Sequence, residues 1–166
     1  GFHSAGMSKI ADSAKMSVGH IYHYFANKDA IIAAIVERES AIQVAKFAQT
    51  ETLTADELVE FLLNKLDNTV RNELDPLHSA LDLEILAEGQ RNLEIATIVR
   101  RHDERMREGF ARMLSKQLGQ EDAESRTEVL FALFNGLQSR VLRHPEIDRD
   151  SLIKSMRATV SYLIGR

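Results

Sequence analysis

Apolar residues recur every three or four positions along most of the chain, which is the spacing of amphipathic helices. Strand-like alternation of Val, Ile and Thr is absent, and neither of the two prolines interrupts an apolar run. The pattern therefore predicts an all-α protein. The expected helices cover residues 7–14, 18–24, 28–48, 55–72, 76–89, 93–118, 122–143 and 149–164.

Residues that favour helix ends mark these boundaries. Thr54 and Glu57 have the spacing of a capping box, in which a hydroxyl and a carboxylate satisfy exposed amides. Other helix starts follow residues suited to N-caps: Ser17, Asn27, Asp75, Asn92 and Asp148. Glycine tolerates the left-handed backbone that ends many helices, so we expect Gly89 and Gly119 to be terminators.

Apolar spacing also predicts which helix faces are buried near the N-terminal end. Ile31, Ile35 and Ile42 are expected close to one face of the long third helix. The residues expected to form the core of the two short helices are Ile10, Ala11, Ile21 and Phe25. Lys15, Met16 and Ser17 form a tight turn between those helices. Two short helices bury little alone and need a third as a platform, an arrangement that lets one helix protrude into a DNA major groove.

Composition changes this picture little. Apolar residues make up 44% of the chain and charged residues 28%, as in ordinary globular proteins. The net charge is −4, yet residues 1–48 carry five Lys/Arg against four Asp/Glu, so acidity does not exclude DNA binding by that part. The chain has no cysteine, which excludes disulfides and thiolate sites. With no signal peptide and no long apolar run, we expect a cytoplasmic protein that contacts no membrane.

A continuous run of residues carries a family resemblance. Residues 10–31 read I-A-D-S-A-K-M-S-V-G-H-I-Y-H-Y-F-A-N-K-D-A-I, which resembles the signature of TetR-family transcriptional regulators: an Ile-Ala pair, a turn ending in Ser, G-x-x-Y-x-[YH]-F, and a Lys-Asp pair. Gly1 and Phe2 resemble the family's junction after its first helix, so that helix is expected to be missing from this sequence. Lys15 replaces a common glycine at a position that favours a left-handed backbone, at a cost on the order of 1 kcal/mol.

The resemblance implies a role in DNA binding for each matching position. The expected phosphate contacts are Ser17, Tyr22, Tyr24 and Lys28. Gly19 would allow close approach to the groove, and the expected base contacts are Val18, His20 and His23, with His20 the leading candidate. Taken singly, these tyrosines and histidines are more often surface or core residues. His20 and His23 could also form a metal pair, although no third ligand lies nearby in the sequence, and no metal or cofactor is expected.

The rest of the chain resembles the family in layout only. We expect a DNA-binding domain over residues 1–47 and a helical effector-binding and dimerisation domain over residues 48–166. A DNA reader with half-site geometry is usually a symmetric dimer. The residues expected at the homodimer interface are Leu133, Gly136, Leu137, Val141, Leu152, Met156, Val160 and Leu163. The alternative is that these faces pack only within the subunit.

An effector pocket is expected among the middle helices, as the resemblance implies. Phenylalanine and methionine linings suit apolar or aromatic ligands, although plain core packing is at least as common. The apolar candidates are Phe61, Leu62, Leu66, Leu81, Ile85, Met106, Phe110, Phe131 and Phe134. The polar candidates, embedded in apolar stripes, are Glu84, His102, Asn135 and Gln138. For His102, a hydrogen-bonded core histidine is the alternative.

These observations predict a DNA-binding regulator, a repressor released from double-stranded operator DNA by a small, largely apolar effector. The alternative is a helical ligand-binding or scaffold protein with a vestigial helix-turn-helix. An enzyme is not expected, because the sequence has no nucleophile elbow, no phosphate-binding glycine loop and no His/Glu cluster at metal-ligand spacing.

Overall fold

The computed structural model describes residues 6–165, so the proposed junction at Gly1 and Phe2 lies outside the described residues. Within that range the chain forms eight helices and no strand, as the pattern predicts. The helices are α1 (Met7–Ser13), α2 (Val18–Tyr24), α3 (Lys28–Thr50), α4 (Ala55–Glu73), α5 (Pro76–Gly89), α6 (Leu93–Leu118), α7 (Ala123–Arg143) and α8 (Arg149–Leu163). None of these eight combines the length and the apolar character that crossing a membrane requires.

The predicted N-caps are confirmed by side-chain hydrogen bonds. Thr54 and Glu57 form both halves of the capping box at the start of α4. The other side chains that accept from amides of the first turn are Ser17, Asn27, Asp75, Asn92 and Asp148. Each cap satisfies amides that the helix itself leaves without partners, and this fixes where the helix begins.

The two glycine terminators differ. Gly119 has φ 67° and ends α6 in the left-handed conformation, as predicted. Helix α5 ends at Gly89 as predicted, but the predicted left-handed conformation is wrong, because Gly89 has no positive φ and the following Gln90 is right-handed at φ −71°. The amides of Arg91 and Asn92 both donate to the Glu88 carbonyl at 2.9 Å. This turn closes α5 without a left-handed residue.

The buried face of α3 is also shifted from the prediction. Ile35 and Ile42 are about two-fifths exposed, at 39% and 40%, whereas Ile32 is fully buried. Ile32 and Val36 face α6 in a small core that they share with Ile85 and Ile95. Two adjacent isoleucines begin this stretch, so apolar spacing alone could not decide which of them faces inward.

Two hydrophobic cores hold the helical body together. The smaller core joins α3, α5 and the first half of α6 around Ile32, Val36, Ile85 and Ile95. The larger core joins α4, α7, α8 and the second half of α6. Helix α6 therefore contributes residues to both cores. The predicted domain boundary at residues 47 and 48 falls within the last turn of α3.

The predicted dimer stripe packs mostly inside the subunit. Four of its residues lie in the larger core with exposures of 6% or less: Leu137, Val141, Met156 and Val160. Three more, Leu133, Leu152 and Leu163, are partly buried against the same core. The interface assignment is therefore wrong for the four buried residues, since α4 and α6 already cover that side of α7 and α8.

Candidate nucleic-acid interface and regulatory core

The turn between α1 and α2 has the strained backbone that the sequence indicates. Lys15 has φ 55°, the left-handed region predicted for this position. The Lys15 amide donates to the Asp12 carbonyl at 3.1 Å, and the Met16 amide donates to the Ala11 carbonyl at 2.9 Å. These bonds close the turn and fix the direction in which α2 leaves it.

One side of the helix-turn-helix is buried and the other is open. Ala11 is fully buried and Ile21 is 4% exposed, while Ile10 and Phe25 are half-buried. The remaining candidate positions on α2 are all exposed: Val18, Gly19, His20, Tyr22, His23 and Tyr24. The structure therefore leaves every predicted base and phosphate position of α2 accessible, and we call the exposed surface of α2 the reading face.

Aromatic contacts order the reading face. The Tyr24 ring centroid lies 5.4 Å from that of His20 and 5.1 Å from that of His23, the latter edge-on. Ring pairs at these separations are mutually attractive. Among residues 6–165, His20 and His23 do not belong to a group of three potential metal ligands. Their shared neighbour, Tyr24, restricts both imidazoles instead.

Residues at the starts of α2 and α3 flank the reading face. The Ser17 hydroxyl oxygen accepts from the His20 amide at 3.1 Å, which leaves the hydroxyl hydrogen for an outside acceptor. Lys28 is the first residue of α3, and Asn27 caps that helix by accepting from the Ala30 amide at 2.8 Å. A helix N-terminus concentrates amide donors and positive potential, which suits a phosphate group.

Specific hydrogen bonds connect α3 to α6. Asn92, the N-cap of α6, donates through Nδ2 to Asp29 Oδ2 at 2.8 Å. At the other end of α3, Gln117 Nε2 donates to the Thr50 carbonyl at 2.6 Å. Between them the helices approach closely, since a Cβ added at Gly109 would lie 2.8 Å from the Phe47 ring. Helix α3, which follows α2 in the chain, is thus held to α6 at both ends and at Phe47.

A polar cluster lies where α4, α5 and α7 meet. Gln138 is 8% exposed, and its Nε2 donates to Glu73 Oε2 at 2.9 Å and to Asp82 Oδ2 at 2.8 Å. His78 Nε2 is 3.4 Å from Asp82 Oδ2. Burial raises the pKa of both carboxyls, while the Gln138 hydrogen bond opposes the rise at Glu73 and the charge of His78 opposes it at Asp82.

The sequence analysis identified Gln138 but missed Glu73, His78 and Asp82. Asp82 could have been found, because it is a charged residue within an apolar helical run: it follows Leu81 and precedes Ile85 by three positions. His78 precedes Asp82 by four positions, which places both on one helix face. Glu73 carried no such signal, because its position depends on how α4 meets α5.

His102 is a second polar feature of the interior. Its Nδ1 is the buried side-chain nitrogen or oxygen that lacks a hydrogen-bond partner among residues 6–165. Burial lowers the pKa of His102, while the charges of Glu39 and Asp82, from α3 and α5, oppose the lowering. The expected alternative, a core histidine satisfied by hydrogen bonds, is therefore wrong for Nδ1.

Six of the nine apolar effector candidates belong to the two cores: four to the larger core (Leu62, Leu66, Phe110 and Phe134) and two to the smaller core (Leu81 and Ile85). Leu66, Ile85 and Met106 are buried, and the Phe110 and Phe131 rings are 6.2 Å apart in an edge-on contact. The half-buried candidates are Phe61, Leu62, Leu81, Phe110, Phe131 and Phe134. The two other polar candidates lie nearer the surface. Asn135 is exposed, and the half-buried Glu84 lines a surface groove with Ala80, Leu83, Ala87, Arg91 and Leu142, so their roles stay predictions.

The chain matches two protein-family models. The model described as bacterial regulatory proteins of the tetR family matches residues 1–35, and the C-terminal model of the BetI-type transcriptional repressor matches residues 55–165. The first match covers the helix-turn-helix and the second covers more than half of the chain. This does not favour the alternative of a scaffold protein with a vestigial DNA-binding unit.

Similar proteins agree with these matches. The HTH-type transcriptional regulator UidR of Escherichia coli is 28% identical over 142 residues, which are 86% of this chain and 67% of UidR. Salmonella enterica GusR is 25% identical with a TM-score of 0.72, covering 100% of this chain and 88% of GusR. A transcriptional regulator from Saccharomonospora viridis in complex with choline is 20% identical with a TM-score of 0.71, covering 98% of this chain and 87% of its own, and shows the shared fold alone.

Proposed function

The chain belongs to the TetR family of bacterial transcriptional regulators, and we propose that the reading face of α2 binds its operator DNA. The family consists of regulators and not of enzymes. The observation that carries the proposal is that all the candidate contacts of α2 are exposed while Ile21 is buried beneath them and anchors the helix. A seven-residue helix presented in this way fits the width of a major groove.

The contacts divide by chemistry into phosphate and base contacts. The residues suited to phosphates have hydroxyl donors, namely Ser17, Tyr22 and Tyr24, or a positive charge, namely Lys28. Phosphate contacts position the protein on the duplex and do not read its sequence. Val18, His20 and His23 lie where base edges would be. Gly19 adds nothing that would block close approach, since a Cβ there would meet no atom within 4 Å.

We further propose that a small effector bound among α4–α7 releases the DNA. Phe110, Phe131 and Phe134 would supply an apolar lining, and Gln138 and His102 would supply polar anchors. A displacement of α6 would reach the reading face through the Asn92–Asp29 hydrogen bond and the close contact of Gly109 with Phe47. A regulator of the same fold is known in complex with choline, which supports the binding of a small ligand by this fold. The proposed domains follow from these functions: residues 1–47 would bind DNA, and residues 48–166 would bind the effector and form the dimer.

The proposed dimer uses the exposed faces of α7 and α8, in place of the buried stripe. Gly136 lies on that side of α7, where an added Cβ would meet no atom of the same subunit within 4 Å. Val129 is 48% exposed and Tyr162 is 73% exposed. On α8 the hydroxyls of Ser155 and Thr159 donate to carbonyls one turn earlier, so their polar hydrogens are already satisfied. A face with small residues and satisfied polar groups suits close packing of two helix pairs.

Selection of duplexes from a random pool tests the DNA-binding proposal. The expected result is enrichment of a palindromic sequence with two half-sites, bound by two copies of the chain. A screen of small molecules for release of the selected duplex then tests the effector proposal. A chain that stayed monomeric and showed no preference among duplexes at low ionic strength would contradict both the dimer and the site.

A further inference from the structure

Three potential metal ligands converge at the junction of α4 and α5. One ligand atom from each of Glu73, His78 and Asp82 lies within 4.8 Å of the other two. Glu73 is the last residue of α4, and His78 and Asp82 lie one turn apart on α5. This junction is firmly built, since the fully buried Ser79 donates through its hydroxyl to the Glu73 carbonyl at 2.9 Å.

The charges at this junction are not balanced by the protein. Glu73 and Asp82 are half-buried carboxylates, and among residues 6–165 neither forms an ion pair with a lysine or an arginine. Their shared partner is the Gln138 amide, which is neutral, and the neighbours that can carry a positive charge are His78 and, for Asp82, also His102. Two carboxylates held together in a partly desolvated site favour the binding of a cation.

We propose that Glu73, His78 and Asp82 bind a divalent first-row transition-metal ion. A set of one imidazole and two carboxylates suits zinc and its neighbours, whereas magnesium and calcium prefer oxygen ligands alone. Zinc bonds of about 2.0–2.2 Å to nitrogen and oxygen require ligand atoms roughly 3.4 Å apart. The observed separations therefore need only small side-chain rotations to reach a bound geometry.

Gln138 acts in this site as a positioning residue. Its amide donates to one oxygen of each carboxylate and so orients both groups beside His78. Hydrogen bonds of this kind orient metal ligands, and their loss lowers the affinity for the metal about 10- to 100-fold. Because Gln138 belongs to α7, the site would join α4, α5 and α7. Three protein ligands would leave a fourth position for water or an exchangeable molecule.

Titration of the full chain with zinc chloride in a calorimeter tests the proposal. The expected result is one ion per chain, with affinity reduced at least about tenfold in His78→Gln and in Asp82→Asn. The matched control for His78 is His144→Gln, an exposed histidine beyond the end of α7, which should bind zinc unchanged. The double variant His20→Gln/His23→Gln should also bind unchanged, which separates this site from adventitious binding by the reading face.

Two further measurements keep the result interpretable. Thermal unfolding without metal shows that each variant is folded, and zinc should raise the melting temperature of the parent chain but not that of Asp82→Asn. Zinc binding that persists in His78→Gln, or that is lost in the His20/His23 variant, would overturn the proposal. Equal binding of magnesium, or stabilisation by choline but not by zinc, would also overturn it. Neither readout depends on operator DNA, so failure of the proposed function would leave this test intact.

Discussion

Tyr24 illustrates how a single side chain organises the reading face. Its ring contacts both His20 and His23 and is itself 63% exposed. The histidines therefore present their edges in restricted orientations before any DNA is bound. Restriction of this kind reduces the entropy that binding would otherwise remove.

Removal of a phosphate contact should lower the affinity of the protein for all duplexes by the same factor. Lys28→Ala deletes one positive charge at the start of α3, so operator affinity should fall and the salt dependence should flatten by a slope of about one. Tyr22→Ala should lower affinity without regard to sequence. Lys154→Ala provides the matched control, since this exposed lysine lies on α8. Fluorescence anisotropy across a salt series measures both quantities, and an unchanged slope for Lys28→Ala would contradict its assignment.

Replacement of a base-contacting residue should change which operator sequence is preferred, and should leave the affinity for duplexes in general nearly unchanged. His20→Ala should change the preferred operator at one position, because a specific base contact is worth about 1–3 kcal/mol of discrimination. Affinity for random duplex should hardly change, since phosphate contacts remain. Selection from a random pool, repeated with the variant, checks this prediction. The same enriched sequence in both selections would show that His20 does not contact bases.

Protonation of His102 should lower stability in mild acid. Burial depresses its pKa, so the unfolded chain takes up the proton near 6.5 while the folded chain takes it up only at lower pH. The stabilisation is therefore present above the unfolded value and is lost as the pH falls through the folded value. The charged groups around it are Glu39 on α3, Asp82 on α5, and Asp103 and Arg105 on its own helix.

A pair of variants isolates this effect. The parent chain should lose stability between roughly pH 7 and pH 5, and His102→Gln should flatten that part of the profile. His144→Gln should retain the parent profile, because His144 is exposed. Denaturant unfolding at each pH gives the comparison. Identical profiles for the parent and His102→Gln would contradict the role assigned to His102.

At the scale of whole elements, the sequence predicted where helices begin better than which faces they bury. N-caps depend on a local hydrogen bond between a side chain and an amide two or three residues on, so Asn27, Thr54 and Asn92 could be recognised singly. The buried face of α3 depends on where α6 lies. Adjacent Ile31 and Ile32 were equivalent in the pattern, and only packing decided between them.

The polar cluster shows the same limit. Gln138 could be identified as a polar residue in an apolar stripe, but its partners come from two other helices. Glu73 and Asp82 are 65 and 56 positions away from it along the chain, respectively. A set of ligands assembled by tertiary packing leaves no spacing in the sequence, which is why the sequence predicted no metal site.

Asn92 links the cap of one helix to the start of another, so its two functions can be separated. Asn92→Ala should remove both the α6 cap and the bond to Asp29, and should cost about 1 kcal/mol or more of stability. Asn92→Ser keeps a capping oxygen but is too short to reach Asp29. We expect Asn92→Ser to unfold near the parent temperature yet to respond less to effector, because α3 is less tightly joined to α6. Melting curves and effector-induced release of operator DNA test this, and equal release in both chains would show that the bond transmits nothing.

At the scale of the whole molecule, α6 joins the two cores. Its first half lies in the smaller core with Ile32 of α3, and its second half lies in the larger core with α7 and α8. His102 lies on α6 itself, and the polar cluster lies among α4, α5 and α7. Under the proposed mechanism, a ligand that shifts the helices of the larger core would act on α3 through α6, without any contact between ligand and DNA.

The dimer proposal predicts that a larger residue at Gly136 separates the subunits without unfolding them. Glycine inside a helix costs roughly 1 kcal/mol relative to alanine, so its presence in the middle of α7 calls for a packing reason. Within the subunit there is none, since an added Cβ meets no atom within 4 Å. Gly136→Leu should keep or raise the melting temperature of the monomer while it blocks close approach of a partner helix.

Sedimentation equilibrium measures that outcome directly. The parent chain should be a dimer at micromolar concentration, and Gly136→Leu should shift the dissociation constant upward by at least about tenfold, the equivalent of 1.4 kcal/mol. Leu142→Ser is the matched control, because Leu142 is exposed on the groove formed with α5 and not on the proposed seam. Since two half-sites need two reading faces, operator affinity should fall together with dimerisation in Gly136→Leu. A variant that remained dimeric would place the seam on another surface, and α7 and α8 would then serve only the core of their own subunit.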